Sequence, residues 1–320
     1  MTETKHASPG NLGALLSTAS VEVSSRGHQL AELRDHFRPG IDVTITFLPG
    51  DDYRHNVETA AALRRLGFNP VPHIAAREVR SRDALDDFLA RARGEAEANR
   101  VLVIAGDTLR ALGPFKSSAD ICLSGAIEGH GIRAVSFAGQ PEGHPQLDAE
   151  RAMMALAAKR DWGRRVGVRV DLVSQFCFES APILAWLKEL EAHGLDLPVH
   201  IGLAGPATPA TLAKFALRCG VGASLRSLRD HIGRFGRLLM DDGPDDVLRG
   251  LWTSPSTAKT LIAGLHFFPF GGLRKTSQWL HDFEPGMVSA GRAHRVIGLN
   301  GDDANPQSEN PAIRPTVLDL

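Results

Sequence analysis

Six polar residues stand within or just after successive apolar runs of strand length: Glu22, Thr46, His73, Asp107, His144 and Gln175. Together they offer a carboxyl group that burial could keep protonated and a second carboxylate able to accept paired hydrogen bonds. They add two imidazoles, a hydroxyl, and an amide that both donates and accepts. Such a set can move protons and hold a polar ligand by hydrogen bonds. Most of the runs lead into a segment that reads as helix. Polar groups at the carboxyl ends of strands that alternate with helices are the sequence signature of a parallel α/β enzyme.

The elements that must position these groups can be read from periodicity. Eight candidate strands fall at roughly 19–24, 42–47, 69–74, 101–105, 132–138, 166–174, 198–203 and 261–267. Near-continuous apolar runs such as Val101-Leu-Val-Ile-Ala105 suit strands covered on both faces, as parallel strands are. Helical patterns lie between them at 57–66, 81–98, 148–162 and 181–193, the last ending at Gly194, a plausible C-terminal cap. Eight alternations predict a (β/α)8 TIM barrel, with a doubly wound open sheet as the runner-up. The long gap between Ser224 and Leu261 carries the basic, amphipathic stretch Ser227 to Met240, which predicts extra helices before the last strand. The domain reading is an N-terminal extension over 1–18, the barrel over 19–298, and a tail over 299–320 rich in Asn, Asp and Pro.

Composition excludes several classes of partner. A formal net charge of -1 over 320 residues provides no global field for nucleic acid or an anionic membrane. No run approaches the ~20 apolar residues that span a bilayer. The first 20 residues lack the continuous apolar region of a signal peptide. Cys122, Cys177 and Cys219 are widely spaced with no CxxC pair, which supports neither a disulfide framework nor a zinc site, and a reducing cytoplasm is the simplest compartment. The histidines show neither HxH nor HExxH spacing, so no metal site is expected. No GxGxxG opens a helix, so a dinucleotide would not be held in the Rossmann manner. Partners are expected to be small molecules, with a homo-oligomer possible through exposed apolar helix positions.

Particular motifs carry a family resemblance. Val21-Glu22-Val23, Val43-Thr-Ile-Thr-Phe47 and Pro72-His73 are similar to the opening motifs of methylenetetrahydrofolate reductases. More specific are Val101-Leu-Val-Ile-Ala-Gly-Asp107, Phe137-Ala-Gly-Gln-Pro-Glu-Gly-His-Pro145 and Ser174-Gln-Phe-Cys-Phe178, which resemble that family's fourth, fifth and sixth strand ends in the right order. The match runs over about 19–275. It implies a flavin-dependent barrel that reduces 5,10-methylenetetrahydrofolate to 5-methyltetrahydrofolate, with FAD reduced first by NADH or NADPH in a ping-pong cycle. The likeness is to the short bacterial form, in which no S-adenosylmethionine-binding domain follows the barrel. Methionine biosynthesis and one-carbon metabolism are the implied setting.

The resemblance assigns roles residue by residue. Glu22 would be the general acid that protonates the folate's leaving nitrogen, whereas an isolated Glu at a strand edge is ordinarily an ion-paired surface group. Asp107 would grip the pterin and influence the flavin, in place of the turn-forming role usual for Asp after a glycine such as Gly106. Gln175 would contact folate and nicotinamide in turn. Thr46, Phe47, His73, Gly106, Asp107, Ala138, Gln140, His144 and Lys159 align with FAD-contacting positions. Arg274, after Gly271-Gly272-Leu273, is the candidate substrate-binding arginine, and an ordinary solvent-facing arginine is the alternative. Departures concentrate around the reductant: Ala105 replaces a frequent Arg, Gln140 and Phe47 each replace a frequent Tyr, and the loop Leu203 to Ala210 lacks an aromatic residue. These leave open a divergent paralogue that acts oxidatively or needs a partner subunit for electrons, and a flavin-free folate-binding methyltransferase barrel.

Overall fold

The computed structural model of the chain describes residues 12–25, 29–144, 147–219, 221 and 243–283. Helix α1 (Leu12–Ser17) leads into β1 (Ser20–Ser24), and then α2 (Gln29–His36), β2 (Asp42–Thr46), α3 (Tyr53–Arg65) and β3 (Asn69–Ala75) follow. A 3-10 turn (Ala76–Glu78), α4 (Arg82–Ala96), β4 (Arg100–Ile104), α5 (Ser118–Leu123), α6 (Ala126–Gly129) and β5 (Ala134–Gly139) come next. The second half runs α7 (Ala149–Val166), β6 (Arg169–Ser174), α8 (Ser180–Ala192), β7 (Val199–Ala204) and α9 (Pro209–Arg218). It continues through α10 (Asp245–Thr253), a 3-10 segment (Thr257–Leu261), β8 (Ile262–Phe268) and α11 (Leu273–Asp282). Each strand pairs in parallel with its sequence neighbour, and β8 pairs with β1 through Ser20–His266 and Val21–Phe267, closing an eight-stranded barrel. The chain is a (β/α)8 TIM barrel.

Local chemistry sets the boundaries. Asp52, Ser81 and Asp148 cap α3, α4 and α7 by accepting from the backbone N–H groups of Arg54, Ala84 and Arg151. Thr208 caps α9 with Pro209 in the first turn. The sixth strand starts at Arg169 and not at the expected 166, because α7 runs on to Val166 and Gly167 ends it in the left-handed conformation (φ +75°). Residues 12–17, expected as part of an extension, form a helix whose Leu12, Leu15 and Leu16 are buried in the main core. The extra helices expected before the last strand correspond in part to α10 and the 3-10 segment, while the basic stretch and the tail lie outside the described residues.

Alternation along the strands decides what the barrel encloses. Val21, Val23, Val43 and Ile45 pack outward against Leu33, Ala60 and Leu63 of the helices. The intervening Ser20, Glu22, Thr44 and Thr46 therefore face inward. On the opposite side the inner wall is apolar, with Val71, Ala75, Leu102, Ile104, Ala138 and Val173 in one cluster. Near the amino ends of the strands, Arg100 bridges Asp42 at 2.9 Å and Asp171 at 3.4 Å, and the Ser136 hydroxyl donates to Asp171. This end of a barrel ordinarily serves stability. Arg100→Met leaves the buried Asp171 carboxylate without its cation. The expected cost is about 3 kcal/mol in denaturant unfolding, with partial recovery when Asp171 is also replaced by Leu.

Candidate active site at the carboxyl ends of the strands

Closure of the barrel brings Glu22 and His73 together from β1 and β3. Glu22 Oε2 lies 3.8 Å from His73 Nε2, with the two side chains 13% and 2% exposed. Burial pushes the Glu22 carboxyl up to about 8 and pulls the His73 imidazole down to about 3. Near neutral pH the pair is therefore a protonated acid beside a neutral imidazole. Among the described residues, neither His73 nitrogen has a hydrogen-bond partner, and the hydroxyl of Thr44, whose strand position pairs with Glu22, is likewise buried without one. Buried polar atoms left unsatisfied in a protein interior are costly unless a ligand or water meets them.

His266 on β8 extends the polar wall. Its Nδ1 is 2.9 Å from the Ser20 hydroxyl, its Nε2 has no partner among the described residues, and burial together with the neighbouring His73 and His200 lowers its pKa to about 3. His266 is not among the residues expected from the sequence. The signal that marks His73, a polar residue inside an apolar run, is equally present in Leu265-His266-Phe267.

The Asp107 loop is built from β3 as well as β4. Gly106 takes φ +94°, a left-handed conformation that L side chains disfavour, and a Cβ there would stand 3.2 Å from the Ala75 methyl. Arg77, immediately beyond β3, donates from Nη1 to the Gly106 and Thr108 carbonyls at 3.4 Å and from Nε to Lys116 O at 3.0 Å. Its backbone N–H also donates to Ala105 O at 2.8 Å. An arginine absent from the sequence reading thus braces both sides of Asp107. Gly106→Ala is expected to lose about 1–2 kcal/mol, read as a lowered Tm in thermal unfolding.

Gln175 follows β6 directly. Its backbone N–H donates to Gly139 O at 2.7 Å and its Oε1 accepts from the Phe176 N–H at 3.1 Å, which leaves the amide NH2 available on that side chain. Beside it the rings of Phe176, Phe178, Phe268 and Phe270 pack edge to face or stacked, and Phe215 of α9 stacks on Phe270 at 4.1 Å. These rings form an aromatic wall drawn from the segment after β6, α9, the end of β8 and the segment after it.

The chain resembles solved barrels only remotely. No known protein-family model matches it. Dihydropteroate synthase (FolP) from Thermus thermophilus is 14% identical with a TM-score of 0.44, over 82% of this chain and 90% of that one. The tetrameric deoxyribose phosphate aldolase from Aeropyrum pernix is 14% identical with a TM-score of 0.40, over 85% and 93% of the two chains. The eight-stranded closure described above, and not these likenesses, establishes the fold.

The other expected residues divide between the strand ends and elsewhere. Thr46 donates to Val23 O at 3.3 Å across the β1–β2 pair, and Asn56 of α3 clamps the end of β2 by donating to the Ile45 and Thr46 carbonyls. Phe47 and Ala138 belong to the inner apolar cluster, and Gln140 beyond β5 keeps a buried Oε1 without a partner. His144 Nδ1 accepts from the Leu147 N–H at 3.0 Å, holding the segment that enters α7. Lys159 lies apart: on α7 and 3% exposed, it sits 4.7 Å above the Phe137 ring, whose strand position faces the helices and not the barrel interior. Burial lowers its pKa to about 8. Arg274 opens α11 with an exposed side chain, its backbone N–H bound to Glu32 of α2 at 3.0 Å. Beside the central cluster, a cavity of about 420 Å³ lies between the β2–α3 and β3–α4 connections. Among the described residues, no helix is long and apolar enough to cross a membrane.

Proposed function

We propose that the chain is an enzyme that reduces 5,10-methylenetetrahydrofolate to 5-methyltetrahydrofolate with NAD(P)H through bound FAD. The observation that carries this reading is Glu22, an inward-facing carboxyl of β1, 13% exposed, that desolvation pushes up to about 8 and that lies 3.8 Å from a neutral His73. Ring opening of a cyclic aminal needs a proton on the leaving nitrogen, and a carboxylic acid with a pKa near the working pH is suited to give it. Asp107, on a loop braced by Arg77, would accept from the amino and ring N–H groups of the pterin. The Gln175 amide, beside a wall of phenylalanine rings, would orient a planar ring placed against them.

The orphaned His73 nitrogens and Gln140 Oε1 fit a cofactor with a hydrogen-bonding edge, and Thr46, Phe47, Gly106 and Ala138 would border it. FAD supplies hydride transfer between the nicotinamide and the folate. Its phosphates are less well served than the family pattern suggests, since Ala105 replaces a cation and Lys159, on α7, is packed over Phe137 in the helix layer. That observation favours, as a second reading, a divergent paralogue that acts oxidatively or takes electrons from a partner subunit.

An absorbance spectrum of the pure protein between 300 and 550 nm, taken anaerobically, tests both. Flavin bands that bleach with NADH and return on adding methylenetetrahydrofolate are expected. Bands indifferent to NADH or NADPH would leave the second reading, and a protein that stays colourless after incubation with FAD would defeat both in favour of a flavin-free methyltransferase.

A further inference from the structure

We propose that the cavity between the β2–α3 and β3–α4 connections is a binding pocket for an adenine nucleotide, with Glu78 reading the adenine amino group and Arg54 and Arg80 meeting the phosphates. The reductase reading bears on this only through which dinucleotide brings the adenine.

The pocket combines three kinds of wall in about 420 Å³. Phe47, Tyr53 and Phe88 supply aromatic surface, the last two meeting edge to face at 6.1 Å, so a flat ring finds stacking partners. Arg54 and Arg80 are exposed at its rim, and Arg80 makes no ion pair with any described residue. Guanidinium groups in that situation favour phosphate, which they can engage through two parallel N–H donors.

The acids decide between ligands. Asp51 accepts from the Leu48 N–H at 2.8 Å and from the Ser25 hydroxyl at 3.3 Å, and Asp52 caps α3, so both are engaged in holding the β2–α3 connection. Glu78 is different: it is 9% exposed, and its Oε1 is buried with no hydrogen-bond partner among the described residues. His73, 2% exposed and also lining the cavity, has two unsatisfied nitrogens. A buried acceptor and an imidazole lining one cavity call for a ring that presents an N–H donor and ring nitrogens. Adenine does so. A glutamyl or other carboxylate tail, which the arginines alone would accept, places its charge against Glu78 and is disfavoured.

Calorimetric titration of the purified full-length chain with ADP provides the test, with inosine diphosphate as the probe whose ring carries an oxo group in place of the amino group. ADP is expected to bind wild type at least ~10-fold more tightly than inosine diphosphate, because the oxo group leaves Glu78 unpaired. Glu78→Gln, which can either donate or accept, should make the two bind alike, and Arg80→Ala should weaken both by ~10-fold. Arg80 is exposed, so its loss leaves folding intact. No binding of ADP, or binding that neither variant changes, overturns the proposal. Displacement of ADP by FAD identifies the flavin as the source, and displacement by NADH from FAD-loaded protein identifies the nicotinamide cofactor. ADP that resists both marks a separate nucleotide site. A chain that shows this pattern without bleaching by NADH keeps the pocket and loses the reductase reading.

Discussion

On the proposed reductase reading, Glu22→Gln is expected to slow the folate half-reaction by ~10²–10⁴-fold, while the rate at which NADH bleaches the flavin stays close to wild type. The substitution preserves size and one acceptor oxygen and removes the transferable proton. Its neighbour His73 cannot substitute as the acid, because burial keeps that imidazole neutral down to about pH 3. Stopped-flow absorbance resolves the two half-reactions in one sample. The pH profile sharpens the expectation. A general acid must be protonated, and the Glu22 carboxyl titrates near 8, so the folate half-reaction should hold a plateau below that pH and fall tenfold per pH unit above it. Equal slowing of both half-reactions, or a profile flat to pH 9.5, would remove Glu22 from the role of acid.

The same carboxyl makes wild-type stability depend on pH in an unusual direction. Its pKa rises from 4.5 in the unfolded chain to about 8 in the fold, so between those values the native state holds the extra proton. Stability attributable to Glu22 is full below pH 4.5 and is lost progressively as pH rises from there through 8, by an amount on the order of 5 kcal/mol. His73 and His266 act oppositely. Their pKa values fall from 6.5 to about 3, so the stability linked to them is full above pH 6.5 and is lost as pH falls toward 3. Two histidines outweigh one carboxyl between pH 4.5 and 6.5, which gives a maximum near pH 6.5 and a decline on the alkaline side. Glu22→Gln should abolish that alkaline decline, making the variant more stable than wild type at pH 9 in urea unfolding. A variant that is less stable than wild type there would mean that Glu22 is paired in the fold and not isolated by burial.

Much of the architecture was legible because it is local. Strands β1 to β8 announce themselves as short apolar runs, and each observed boundary lies within a few residues of the expected one. The largest difference, at β6, arises because Val166 and Val168 flank a glycine whose left-handed backbone ends a helix, a distinction that hydrophobicity does not carry. The short helices α1, α2, α5 and α6 went unread for a related reason: four to eight residues span too few turns to establish a 3.6-residue period. Polar residues inside apolar runs mark Glu22, Thr46 and His73, and His266 carries the same signal.

What the sequence by itself determined is therefore the eight strands, their parallel arrangement and the identity of several polar groups on them, since these depend on neighbours within about 20 positions and on the two-residue alternation of a strand. Tertiary structure alone decided which of those groups meet. Ser20 and His266 are 246 positions apart and become partners only because β8 closes on β1. Glu22 and His73 approach through the stagger of β1, β2 and β3, and Lys159 turns to the helix layer because it lies on the face of α7 that packs over Phe137. The raised carboxyl and lowered imidazoles follow from the same closure, because the loss of water that shifts them is a property of the assembled barrel and of no segment within it.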